Sequence, residues 1–212
     1  MDTAVKVLFL LLGWLLGLLS PLITDAIKHR RERRETEAAI RVELKEVQFR
    51  LVGTIWLLAT RTERFNRSLI DWMRPIVERY KGLNPTDGVV QTFKSTEGLT
   101  DEQLAGLARK LDPGPQFRLS LKKYSTPMID SKISMLNGFG SEYQNLVLEL
   151  KAVLNLLNEE VDQFRFYFNQ TFISSLSEKN RVAIAANIET SYATVFNGAQ
   201  RAVDLIERIL AK

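Results

Sequence analysis

A chain of 212 residues, 45% hydrophobic and 25% charged, has enough apolar material for one domain with a proper core and too much for a disordered segment. It contains no cysteine and one histidine, His29, which excludes disulfides, thiolate metal sites, cysteine nucleophiles and any two-histidine metal centre. The formal charge of +4 is modest, so where the basic residues lie matters more than their sum.

Residues 7–24 form an uncharged, leucine-rich run bounded by Lys6 and Asp25, which is about the length a helix needs to cross the hydrocarbon core of a bilayer. We therefore expect a transmembrane anchor over 1–27. A cleaved signal peptide is the competing reading, with Ser20-Pro21 as the breaker and residues 24–26 as a small-residue cleavage site. Against it, Lys6 is balanced by Asp2, and the basic run that follows would oppose export. Within the span, Gly13, Gly17 and Ser20 make a small-residue face through which two anchors could approach closely.

The stretch 28–39 is a basic juxtamembrane helix. Lys28, Arg30, Arg31, Arg33 and Arg34 follow the span, whereas Lys6 alone precedes it, so the C-terminal side is expected in the cytoplasm and the N-terminus outside, as in a single-pass protein of a cell inner membrane. The same five residues are the candidate contacts with membrane lipid. Glu32, Glu35 and Glu37 interleave with them, which favours a topology signal and a solvated helix surface over a dedicated lipid site.

Apolar residues at Ile40, Leu44, Val47, Leu51, Ile55, Leu58, Phe65, Leu69, Trp72 and Ile76 keep helical spacing and predict one helix from about 33 to 80, nearly continuous with the anchor and bent, if anywhere, at Pro21 or Pro75. Residues 51–59 are apolar almost all round, so several neighbours must cover them. Trp56 lies off the main seam there and is a candidate interface residue. Gly82-Leu83-Asn84-Pro85 stops the pattern, and about 82–99 has no sustained period and is expected to be a loop.

Thr100 and Gln103 form a capping box opening a short helix to about Leu111, closed by residues 112–115. Another helix is expected from near Gln116, interrupted at Pro127 and ended by Gly138 and Gly140. Two long amphipathic helices follow. One opens at Ser141 with Gln144 behind it and runs through Tyr143, Leu150, Leu157 and Phe164; the other opens near Ser177 and runs through Ile188, Val195, Val203 and Leu210. The expected fold is all-α: an N-terminal transmembrane helix running into an elongated bundle of three long helices plus shorter ones, with 40–212 as the bundle domain.

Arg61, Arg64, Arg67, Arg74, Arg79 and Lys81, with Arg118, Lys122 and Lys123, could contact nucleic acid, but Glu63, Asp71 and Glu78 dilute the stripe, so a mixed solvated face with Arg74–Glu78 pairing is expected and nucleic acid is not. Phe164, Phe166, Tyr167, Phe168 and Phe172 crowd too closely to share one helix face, which makes Phe166 and Tyr167 candidate interface residues. Glu159, Glu160 and Asp162 lack the Glu-x-x-His partner of a di-iron bundle. Phosphate-loop, hydrolase-elbow and dinucleotide motifs do not occur, so no catalytic residue, cofactor or metal is expected and an enzyme acting on lipid or nucleotide is the weakest reading.

The anchor followed by Ala39-Ile-Arg-Val-Glu-Leu-Lys45, and the stretch from Ser125 to Leu136, resemble a pattern in small bacterial single-pass membrane proteins, including the membrane accessory proteins of RNA-targeting CRISPR and phage-defence systems. That resemblance implies a helical bundle that assembles, in some relatives as a pore. The Arg-x4-6-His motif of helical nucleases is absent here, so ribonuclease activity is not carried over. The function expected is a membrane-tethered helical scaffold or interaction module that self-assembles or binds a protein partner, with an oligomeric pore or membrane-disrupting effector as the alternative.

Overall fold

The computed structural model describes residues 3–80, 88–111 and 120–212. It is all-α, with no strand among the described residues. Helix α1 spans Thr3–Arg61, and its 59 residues run through Pro21 without interruption. From Leu8 to Ile27 every side chain is exposed. From Thr36 onward the same helix is buried along one seam, with Ile40, Leu44, Val47, Leu51, Ile55 and Leu58 all in the core. One hydrogen-bonded rod thus carries two environments: an apolar stretch without neighbours, then the central strut of a bundle.

The expected helix from 33 to 80 is in fact two helices. α1 ends in a Schellman motif: Glu63 adopts the left-handed conformation at φ 53°, and the Arg64 N–H bonds to the Ala59 carbonyl over 3.2 Å. Asn66 then caps α2 (Arg67–Arg79), its side chain accepting from the Leu69 N–H. α2 doubles back along α1. The Tyr80 ring stacks on Phe49 at 3.8 Å, and its hydroxyl donates to Glu46 over 2.9 Å. Pro75 leaves α2 intact, as Pro21 does α1.

Two further expectations change between α2 and α6. Residues 88–95, expected as loop, form α3 (Gly88–Ser95), while Gly82–Asp87 lie outside the described residues. Pro127 does not interrupt a helix but opens one, α5 (Pro127–Lys132), where its missing N–H is harmless; it passes into a 3₁₀ turn, Ile133–Gly138. The start expected near Gln116 and the 112–115 stop fall outside the described residues. Between them, α4 (Asp101–Leu111) carries the capping box as expected, Thr100 and Gln103 each accepting the other's backbone N–H.

α6 (Ser141–Gln170) and α7 (Glu178–Leu210) are the long pair. Ser141 does not cap α6: Gly140 occupies that position, and Gln144 donates to the Phe139 carbonyl instead. Ser177 does cap α7, accepting from Asn180. The two pack antiparallel, with Phe164 against Tyr192 and Arg201 bonded to Glu149. They come so close at Gly198 that a Cβ there would lie 2.8 Å from Leu157 Cδ2. α7 also runs antiparallel to α1, from Arg64–Asn197 at one end to Arg41 on the Leu210 carbonyl at the other.

The all-round apolar stretch 51–59 is covered chiefly from within. Trp56 is 7% exposed, edge-on to Phe65 at 4.6 Å and tilted on Phe93 of α3 at 4.9 Å. As a candidate interface residue Trp56 is therefore corrected: the second contact it needs comes from the α1–α2 turn and α3. Leu57 keeps half its surface exposed. Trp56→Ala should lower the stability of the bundle by about 3–5 kcal/mol, since the cavity is walled by rings that cannot collapse far. Chemical denaturation followed by circular dichroism measures this; loss of assembly with unchanged stability would contradict the assignment.

Candidate functional site

The best-defined site is the end of the bundle nearest the exposed apolar stretch. α1 enters it bearing i,i+4 pairs: Lys28–Glu32 at 3.9 Å, Arg31–Glu35 at 2.8 Å, and Glu37–Arg41 at 3.0 Å. His29 adds a 3.6 Å contact to Glu32. Such pairs, exposed at Arg31–Glu35 and half-buried at Glu37–Arg41, contribute little stability where they face solvent. Arg33 stands 5.0 Å over the Phe139 ring. Arg30 and Arg34 make no ion pair among the described residues, and all five basic residues expected at a membrane surface are exposed.

One turn further, Thr36 is buried and its hydroxyl points at Met135 Sδ over 3.6 Å. Glu43 then does what no local side chain does for α5: its carboxylate accepts the Met128 and Ile129 N–H groups over 2.8 and 2.9 Å, closing the helix N-terminus from across the bundle. Asp130 is further tied to Lys151 of α6. Lys212 reaches Glu142, bringing the two ends of the α6–α7 pair together beside α1. Tyr143 is buried there with no hydrogen-bond partner for its hydroxyl; burial first, then the Glu37 carboxylate, push its pKa up against the opposing Arg41.

These contacts hold the 3₁₀ turn beside α1 and leave a cleft of about 460 Å³ between them. His29, Arg30, Glu32 and Arg33 line one side, Ser134, Met135 and Gly138 the other. Sequence reasoning found the arginines but missed the opposite wall, whose signal, Asn137-Gly138-Phe139-Gly140, shows a chain stop and says nothing about what it faces. Other clefts lie lower: one between α1, Arg79 and Glu207, and one beside Leu57 and Tyr124. Tyr124 donates to Thr54 over 2.6 Å, and burial pushes its pKa up.

The remaining candidates are scattered. Gly13, Gly17 and Ser20 lie on the exposed stretch, and a Cβ at either glycine would meet nothing within 4 Å. Phe166 is 58% exposed near the opposite end, with Tyr167 half-buried beside it at 5.7 Å. Phe172, Ile173 and Val182 are exposed there too. The basic stripe is largely compensated: Arg67 and Arg74 pair with Asp71, Arg79 with Glu207, and Lys123 with Asp162. Arg74 thus uses Asp71 rather than the expected Glu78, and Lys81 and Arg118 lie outside the described residues.

No protein-family model, curated protein or solved structure matches the chain. Among the described residues one helix is long and apolar enough to cross a membrane, and none of its apolar window is buried.

Replacing Glu43 by alanine should free the α5 N-terminus, at a cost of about 1–3 kcal/mol for the two N–H groups left without their acceptor. Hydrogen exchange should quicken over 127–138 while α6 and α7 keep their protection. Unchanged exchange in that segment would show that Glu43 does not hold it.

Proposed function

We propose that the chain is a membrane-tethered helical interaction module: α1 crosses a bilayer and, continuing without a joint, holds the bundle against the membrane surface for assembly with further copies or with a protein partner. The observation that carries this is the single helix Thr3–Arg61, whose apolar part is wholly exposed while its polar continuation is the core strut. An exposed row of leucines is unfavourable in water and favoured in lipid, where the helix satisfies its own backbone.

The charge distribution supports a bundle on the cytoplasmic face of an inner membrane, because five basic residues follow the span and Lys6 precedes it. Association has two supports. Gly13 and Gly17 present an open face on which backbones could meet, and Phe166, Phe172, Ile173 and Val182 expose apolar surface at the far end of the α6–α7 hairpin. At 1.5 Å per residue that end stands about 60 Å from the apolar stretch, which suits it to meet a soluble partner.

In cells, the protein should resist carbonate extraction, and a reporter active only in the periplasm should be silent when fused after Lys212. Release by carbonate or strong reporter activity would overturn the placement. In membranes, Gly13→Ile with Gly17→Ile should weaken cross-linking between anchors several-fold. Unchanged yields would move self-association to the bundle, and a closed ring of purified particles would favour a pore over a scaffold.

A further inference from the structure

We propose that the cleft between α1 and the 3₁₀ turn is a headgroup site for an anionic phospholipid, resting on the reading that α1 crosses the bilayer. Counting from Thr24, the last uncharged residue of the apolar run, Arg30 lies about 9 Å and Arg33 about 13 Å further along the helix. Helical side chains lean towards the N-terminus, so Arg30 is within reach of a headgroup layer about 5–8 Å deep on each side, while Arg33 stands over the Phe139 ring. The rigid connection therefore carries this cleft to lipid phosphates rather than to bulk solvent.

The walls suit an amphiphile. Among the described residues neither Arg30 nor Arg33 makes an ion pair with a carboxylate, and Arg33 is seated on the Phe139 ring. Glu32, the one acidic group of the lining, is drawn to Lys28 and His29. Opposite them Met135 offers apolar surface, and Gly138 leaves the wall open: a Cβ there would meet nothing within 4 Å. A phosphate accepts in-plane guanidinium donors well, while the glycerol and first methylenes above it match thioether and arginine stems. An anionic headgroup gains from this charge, whereas the cationic group of a zwitterionic lipid offsets it.

The cleft makes a claim that diffuse surface charge does not, because shape and charge can be changed separately. Full-length protein in nanodiscs of phosphatidylcholine with a minority of phosphatidylglycerol is released into native mass spectrometry, and the lipids it retains are counted. Wild type should keep phosphatidylglycerol well above its share of the mixture. Arg30→Gln with Arg33→Gln should lower that enrichment by about fivefold for each charge removed. Gly138→Leu, which adds bulk at the cleft wall without altering charge, should abolish most of it, and Arg34→Gln, off the cleft, should lower it less than the loss of either cleft arginine.

Enrichment that survives Gly138→Leu, or that falls as far with Arg34→Gln, would overturn the cleft while leaving the anchor standing. Displacement of the lipid by soluble glycerol phosphate would overturn the assignment to lipid. Carbonate extraction of wild type from membranes would remove the anchor and this site together.

Discussion

The backbone ladder of α1 passes from Asp25 to Thr36 without a glycine, a proline or a missing turn, and everything else in the molecule takes its position from that continuity. From Leu8 to Thr24 the side chains are exposed on every side; downstream, a seam from Ile40 to Leu58 is closed by α7 and the shorter helices. A helix of this length does not form on intrinsic propensity alone and needs tertiary burial or lipid along its course. The seam supplies the first from Thr36 onward. In the proposed placement, lipid supplies the second above Asp25, and the junction between them is a stiff arm about two to three turns long. Without a hinge there, the bundle has a set height and rotation relative to the bilayer.

The end of the bundle nearest the apolar stretch is tied across several elements. Glu43 caps α5 from across the bundle, Arg41 takes the last carbonyl of α7, Lys212 reaches Glu142, and Lys151 holds Asp130. Each is a modest interaction, yet together they place a turn with no strong core of its own beside α1. Lower in the bundle the charges mostly answer one another, as Arg67, Arg74, Arg79 and Lys123 show. At the junction, Arg30 and Arg34 do not find carboxylates among the described residues.

What could be read from the sequence depended on whether the governing physics was local. Helical periodicity gave the seams of α1, α6 and α7, because the same residues that repeat every three or four positions are the ones buried. The Thr100–Gln103 box and the Ser177 cap were legible for the same reason. The end of α1 was not, since the left-handed position that ends it is occupied by Glu63, where glycine would have announced it; a run of five polar residues, 60–64, was the remaining clue. Pro127 was expected to interrupt a helix and instead starts one, and the acceptor for the N–H groups it leaves open is Glu43, far away in sequence. Trp56 was seen to need a second contact, but which one supplied it depended on α3, whose eight residues are too short to show a period. The candidate site was half legible: its arginines stand in a run, while its other wall arrives by tertiary packing.

Because the chain has no cysteine, single spin labels can be placed without background, and the rigid arm can be measured directly. Labels at Leu8 and Val42, both exposed, in protein reconstituted into bilayers should give by pulsed electron resonance a narrow distribution centred at about 51 Å, the rise of 34 unbroken helical residues. A broad distribution, or one centred well short of that length, would show a joint between the apolar stretch and the bundle and would contradict the account.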